Sequence, residues 1–348
     1  MANGFHPPSV KKALGIVLDK PGKPSYDSPS SFRVIVLLRT LSKILERVVT
    51  SRLSAQAVTC PLNHPLQCRS LPGRSTADAA LFLQHYAESF HRLCYKFSTL
   101  FLDVKGGFDN VESHSLLSLL RRKGVSPYLV QWVGSFLRDR TGRLTFQGPP
   151  CVFAPVSEGV PQGSPISPLL FVIYVSSLHL DIPRSLIVSY VDEFAVTVAS
   201  PTYRTNVRLL LRSFSSLKRK ASAINISFSV SKTKLIHWRT ARSNVWLCSL
   251  PVQLEDQLFY QQTRLKWLGF IFTPAFDPRC HFSRRYTLAN AALATIRRLS
   301  SLRIGLAPHL CLSLARSLQA PILLYGSSVR SPPPLHYEPN GRLLAPGL

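Results

Sequence analysis

Three acids stand out for chemistry in a chain that is poor in acids. Asp192 and Glu193 sit side by side between two apolar, β-prone runs in LIVSYVDEFAVTVA (186–199), and Asp103 closes another in FSTLFLDV (97–104). Adjacent carboxylates repel, and apolar surroundings make that repulsion costly unless a cation sits with them. A tight turn would prefer Asn-Gly or Asp-Gly, and Asp-Glu lacks the residue with positive φ that such a turn wants. Two apolar strands delivering acids at their ends therefore predict a converging Mg²⁺ site. Mg²⁺ takes few protein carboxylates and completes its octahedron with water and substrate phosphates. Two such ions about 3.5–4 Å apart can clamp the attacking and leaving oxygens of phosphoryl transfer.

The elements that must position these acids are legible in outline. The apolar residues 37, 41, 44, 45, 48, 49 and 53 recur at helical spacing, with Lys43, Arg47 and Arg52 between them, and predict an amphipathic helix over 37–53. Pro72-Gly73 breaks the chain before Ser75-Thr76-Ala77-Asp78, which reads as the start of a helix to about Phe90. Helices are expected at 113–123, 127–138, 167–180 and 205–223, and two helical stretches within 284–320. Strands are expected at 97–104, 144–146, 152–155, 186–199, 226–238 and 265–272. Strands interspersed with helices indicate an α/β or α+β core. Residues 1–32 are rich in Pro, Ser, Gly and Lys and read as an irregular leader, and the stretch from Ser327 reads as a disordered tail.

Composition narrows the class. The 348 residues carry a net charge of +25 and are 45% hydrophobic, enough apolar material for one large or two moderate cores. The basic residues run along the whole chain, as a long positive channel for phosphate backbones would require. No apolar stretch approaches the roughly 20 residues of a membrane-spanning helix, and with no apolar h-region in Met1–Lys11 a secretory signal is not expected. Seven scattered cysteines without C-x-x-C argue for reduced thiols in an intracellular protein, against a disulfide framework or a zinc site.

The order and spacing of the motifs resemble the reverse transcriptase domain of non-LTR (LINE-type) retrotransposons, over about Phe32 to Phe272. FLDVKGGFDNV (101–111) resembles the first palm motif, and GVPQGSPISPLLF (159–171) is a near-verbatim match to the second. SYVDEF (189–194) stands where the family has Tyr-x-Asp-Asp. SKTKLIHW (231–238) resembles the following lysine motif, and LKWLGFIF (265–272) the primer-grip strand. LLRTLSKILERVVTSRL (37–53) and QCRSLPGRSTADA (67–79) resemble finger motifs.

The resemblance implies an α+β right-hand polymerase. Its parts would be a leader at 1–32, fingers at 33–95, a palm at 96–272, a partial helical thumb at 273–325 and a tail at 326–348. It implies RNA-directed DNA polymerisation, with Asp103, Asp192 and Glu193 holding two Mg²⁺ (Mn²⁺ as substitute) and Lys232 protonating the pyrophosphate. Arg33 and Arg74 would meet the triphosphate, Phe108 would exclude a ribose 2′-OH, and Gln162 and Gly163 would approach the nascent base pair. Trp267 and Gly269 would grip the primer, while Asp109 and Glu112 read as structural. The implied partners are an RNA template, a DNA primer or target, and dNTPs, with no membrane, acting in the nucleus after synthesis in the cytoplasm.

The sequence departs from the family at four places. Glu193 replaces the second Asp and adds a methylene, Val34 replaces a Pro, and CRSLPGRST departs from Gly-Phe/Tyr-Arg-Pro-Gly-Arg. Gly107 stands where Ala is usual, predicting a looser turn. With no endonuclease, zinc knuckle or RNase H in the sequence, the chain reads as the polymerase portion of a decayed element copy. The alternatives are a catalytically impaired nucleic-acid-binding remnant, a group II intron maturase-like protein and an RNA-dependent RNA polymerase. Phe108 weighs against the last.

Overall fold

Alternation and apolar runs decide where the strands of this chain form. In the computed structural model, which describes residues 4–23, 25–60, 62–69, 73–92, 94–146, 148–179, 185–239, 250–300 and 305–329, they appear in the following order. The first elements are β1 (Lys12–Asp19), β2 (Phe32–Leu37), α1 (Thr40–Thr59), α2 (Thr76–Arg92), β3 (Lys96–Lys105), α3 (Ser113–Arg122) and α4 (Pro127–Leu137). Then come β4 (Arg140–Thr145), β5 (Ala154–Val156), α5 (Ser167–Tyr174), β6 (Ser185–Tyr190), β7 (Glu193–Ser200), α6 (Tyr203–Ser222), β8 (Ser227–Phe228) and β9 (Lys234–Trp238). The last are β10 (Val252–Leu254), β11 (Gln257–Phe259), β12 (Leu265–Trp267), β13 (Phe270–Phe272), α7 (Arg279–Ser300), α8 (Pro308–Leu314) and α9 (Ala320–Leu324). Residues 330–348 of the expected tail and 70–72 of the expected finger loop lie outside the described residues.

The chain forms two compact units. The first comprises the described residues up to 75, 101–197 and 208–233; the second comprises those of 76–100, 198–207 and from 234 on.

The first unit corrects the expected irregular leader. Lys12–Asp19 is a strand in a four-stranded sheet of order β2-β1-β4-β5. It runs antiparallel to β2 (Gly15↔Val36, Val17↔Val34) and parallel to β4 (Gly15↔Leu144). The physical reason is the apolar run KALGIVLD, which outweighs the Pro-rich flanks that suggested a loop. Gly15 fits because a Cβ there would lie 2.6 Å from Leu144 Cδ2.

Strand β2 also claims Phe32–Leu37, so α1 starts at Thr40 and not at Leu37. The face it buries differs from the one its apolar spacing predicts. Ser42, Glu46, Val49 and Leu53 are buried, whereas Leu41 is 68% exposed and Ile44 55% exposed.

A second sheet has the order β6-β7-β3-β8, and β9 also pairs β3. In the first unit, every residue of α5 but Pro168 is buried, and α4 buries Trp132, Val133 and Phe136 behind an N-terminal Pro127. The expected single strand over 226–238 divides into β8 and β9 around a 3₁₀ turn, Val230–Lys232.

The second unit is built on aromatics. Trp238 stacks on Phe276 at 4.0 Å and on Phe97 at 5.7 Å, and its indole N–H donates to Thr99 Oγ1 at 2.7 Å. The expected strand 265–272 is a hairpin, β12 against β13, turning on Leu268 (φ 49°) and Gly269 (φ 82°). Positive φ at both central residues is the type I′ signature.

Candidate active site

Strand β3 carries Asp103 near its end, half-buried between the buried Leu102 and Val104. Beside it the hairpin of β6 and β7 turns on Val191 and Asp192. The positive-φ residue that the turn requires is supplied by Val191, at φ 58°. A β-branched residue in that region costs of order 1–3 kcal/mol and marks a strained position. The backbone joins β3 to the acidic hairpin and to the chain after β8: Val104 N–H donates to the Asp192 carbonyl at 2.9 Å, and Ser229 N–H donates to the Asp103 carbonyl at 2.7 Å.

Because β8 is only two residues long, the chain turns directly into the 3₁₀ segment that holds Lys232. Its Nζ lies 2.6 Å from Asp103 Oδ2. Burial raises the Asp192 carboxyl above its ordinary range, and the Asp103 charge raises it further, while its own backbone N–H, Lys232 and Arg69 oppose. Arg69 reaches the same hairpin, donating to the Tyr190 hydroxyl at 2.8 Å.

These acids line a cavity of about 830 Å³ within the first unit, together with Arg33, Phe108, Asp109, Gln162, Arg140 and Lys232. Phe108 stacks on Phe171 at 5.0 Å, so it is both a packed ring and a wall of the cavity. Gly107 is buried below it, and a Cβ there would lie 2.7 Å from Phe171 Cζ. The expected looser turn is therefore a filled one, with Phe171 occupying the space that an Ala would need.

The loop of residues 158–164 is joined to the loop after β3. Val160 N–H donates to the Phe108 carbonyl at 2.8 Å, and Gly159 N–H to the Val111 carbonyl at 3.1 Å. Gln162 Nε2 faces both Asp109 carboxylate oxygens at 3.5 Å. Desolvation against the cavity wall raises the Asp109 carboxyl, with the Gln162 hydrogen bond opposing. Gly163 (φ 120°) packs against the Val36 carbonyl so closely that no Cβ fits.

The sequence reading and the geometry part company at several residues. Glu193 opens β7 directly after the Val191–Asp192 turn, while Asp103 and Asp192 line the cavity. Among the described residues no group of three or more His, Cys, Asp or Glu is placed to hold a metal ion. Arg74 is exposed ahead of α2 and is absent from the cavity wall.

Trp267 is only 3% exposed and packs near Phe272 at 6.3 Å, so its ring belongs to the core of the second unit. Gly269 forms the β12–β13 turn, where Arg285 donates to its carbonyl at 2.7 Å. Glu112 precedes α3 and accepts from Ser115.

Two residues escaped the sequence reading. Asp109, taken as structural, lies in the cavity wall. Arg140 is buried and donates to the carbonyls of Glu158 (3.0 Å) and Gly159 (2.6 Å), anchoring the start of the 158–164 loop. Nothing in RDRTGRLTF distinguishes that arginine from its neighbours.

The geometry can be set beside known proteins. The profile of reverse transcriptase (RNA-dependent DNA polymerase) matches residues 18–272. A curated relative, "Probable RNA-directed DNA polymerase from transposon BS" of Drosophila melanogaster, is 28% identical, covering 76% of this chain and 30% of its own length. The RNA-directed DNA polymerase from mobile element jockey of the same species is 28% identical over 94% of this chain and 36% of its own. The chain thus spans about a third of the length of these relatives. Telomerase from Candida tropicalis, in complex with a TWJ fragment of telomeric RNA, matches with a TM-score of 0.52 at 13% identity. That match covers 92% of this chain and 55% of the telomerase, and it is a likeness of fold.

The expected α+β polymerase fold and the kinship with non-LTR retrotransposon polymerases are borne out. With Asp103, Phe108, Gln162, Asp192 and Lys232 all inside the matched span, the chain belongs to the reverse transcriptase (RNA-dependent DNA polymerase) family.

Proposed function

We propose that this chain is the polymerising part of an RNA-directed DNA polymerase, a nucleotidyltransferase that extends a DNA primer 3′-OH with dNTPs on an RNA template, as in target-primed retrotransposition. The observation that carries the reading is the pairing of Asp103 and Asp192 in one cavity with Phe108 and Gln162. The charge of +25 supports nucleic-acid partners. Among the described residues no helix is long and apolar enough to cross a membrane. Polymerisation on a chromosomal target would take place in the nucleus, after synthesis in the cytoplasm.

Enzymes of this family depend on divalent metal ions. The residues present fit such a group: two carboxylates in mutual repulsion, one of them desolvated, form an all-oxygen donor set suited to a hard cation. Asp103 and Asp192 would hold it, and Mg²⁺, with Mn²⁺ as substitute, is the ion we assign. When bound, the metal supplies activation of the primer oxygen and charge neutralisation on the pyrophosphate. Lys232 releases Asp103 to the cation and hands a proton to the departing pyrophosphate. Phe108 stands where a ribose 2′-OH would clash, Arg33 draws the triphosphate, and Gln162 bears on the nascent base pair.

Primer extension on poly(rA)/oligo(dT) with Mg²⁺ or Mn²⁺ tests the reading, with Asp192→Ala as the blank. Extension above the blank supports it. Extension by Glu193→Asp alone would mean that the added methylene of Glu193 silences the centre. No extension by either, with salt-dependent duplex binding, would replace the reading with a nucleic-acid-binding remnant.

A further inference from the structure

Helix α1 buries an acid where its own sequence offers apolar residues. Glu46 is 0% exposed, while Leu41 and Ile44 on the same helix stay in solvent. An apolar residue at that position would avoid the desolvation that a carboxylate suffers. The structure shows what the acid does there. Its Oε1 accepts from Ser42 Oγ at 2.5 Å, and its Oε2 accepts from Ser164 Oγ.

Ser42, with its own proton directed to Glu46, faces His6 Nε2 at 3.3 Å. The His6 ring therefore carries its proton on Nε2, and Nδ1 has no hydrogen-bond partner. The chain of donors runs from His6 through Ser42 to Glu46, which receives Ser164 from the other side. Among the described residues no salt bridge joins this network.

Ser164 ends the turn Pro161–Ser164. Its N–H donates to the Pro161 carbonyl at 3.2 Å, and its Oγ accepts from Ile166 N–H at 3.3 Å. The turn is held on its other side by Val36, whose N–H donates to the Gln162 carbonyl at 2.9 Å. Between these two attachments Gln162 projects its amide toward Asp109 in the cavity.

The structure assigns Glu46 the part of a positioning residue: through the Ser164 hydroxyl it holds the Pro161–Ser164 turn, and with it Gln162, in the form that receives the incoming nucleotide. This rests on the polymerase reading above. Glu46 touches no substrate itself; it acts through Ser164, and its buried setting keeps water from competing for that hydroxyl.

The test compares the full chain with Ser164→Ala, Glu46→Gln and Ser164→Thr, measuring kcat and KM for dNTP in single-nucleotide extension and amide hydrogen exchange at Val36 and Ile166. Ser164→Ala and Glu46→Gln should raise KM about tenfold with kcat within about twofold, the loss of one charge-assisted hydrogen bond in ground-state binding. Val36 and Ile166 should exchange faster in both, with α4 unchanged, and Ser164→Thr should restore both readouts because it keeps the hydroxyl. An unchanged KM with unchanged exchange, or a loss of stability alone, would overturn the assignment. Should the parent chain fail to extend a primer, the polymerase reading falls by itself, and the exchange at Val36 and Ile166 still decides whether Glu46 positions the turn.

Discussion

Lys232 Nζ rests 2.6 Å from Asp103 Oδ2, with 63% of the lysine side chain and 22% of the aspartate side chain exposed. The ion pair thus stands at the mouth of the cavity, where solvent screens it and the lysine is free to exchange partners. Exposed pairs of this kind contribute roughly 0–1 kcal/mol to stability. Its placement bears on chemistry more than on folding.

Lys232→Gln should therefore leave the urea midpoint almost unmoved, within the roughly 1 kcal/mol of an exposed pair. Nucleotide addition should slow by about 10²-fold, the lower range for loss of a general acid. Rapid-quench single-nucleotide addition beside a urea melt checks both halves. A large loss of stability with unchanged turnover would assign the lysine to the fold.

Phe108→Ala removes a ring stacked at 5.0 Å on Phe171 and opens the cavity wall. Incorporation of rNTP relative to dNTP should rise at least tenfold, with a stability loss of about 0.5–1.5 kcal/mol from the lost ring pair. Competition between the two nucleotide types measures it. No gain in rNTP use would leave Phe108 as packing alone.

Gly163 has φ 120° and meets the Val36 carbonyl with no room for a Cβ. Gly163→Ala should cost at least about 1–3 kcal/mol, the range for a residue forced into a sparsely populated backbone region. Gly22, with φ 78° and nothing within 4 Å of where a Cβ would stand, is the control: Gly22→Ala meets only the backbone strain. Equal losses from chemical denaturation would sink the steric argument.

Burial holds two imidazoles neutral in the first unit: His6, lowered to about 4, and His179, lowered to about 3. Lys11 adds to the first and His64 to the second. The unfolded chain protonates both rings near the ordinary 6.5, so below that pH the unfolded state binds more protons than the folded one. Stability should be full above about pH 6.5 and fall as the pH drops toward 4, by as much as roughly 3 kcal/mol for His6 at about 1.4 kcal/mol per unit. Thermal melts between pH 4.5 and 7.5 should show this slope, reduced in His6→Gln. A flat profile for the parent chain would contradict it.

Much of this protein is written locally. The acids at the ends of apolar runs, the PQGSP turn and the helix starts at Pro127 and Thr76 all follow from neighbouring residues, because turn chemistry and periodicity act over a few positions. Tertiary structure decided the rest. It drew Lys12–Asp19 into a sheet by pairing it with strands far along the chain, a partnership that its Pro-rich flanks conceal. It buried Trp267, because the side on which a residue falls depends on strand register and packing. It also turned α1 so that Ser42 and Glu46 face inward and Leu41 faces water. Helical periodicity counts apolar residues and has no term for a hydroxyl that arrives from 118 positions away to meet a carboxylate.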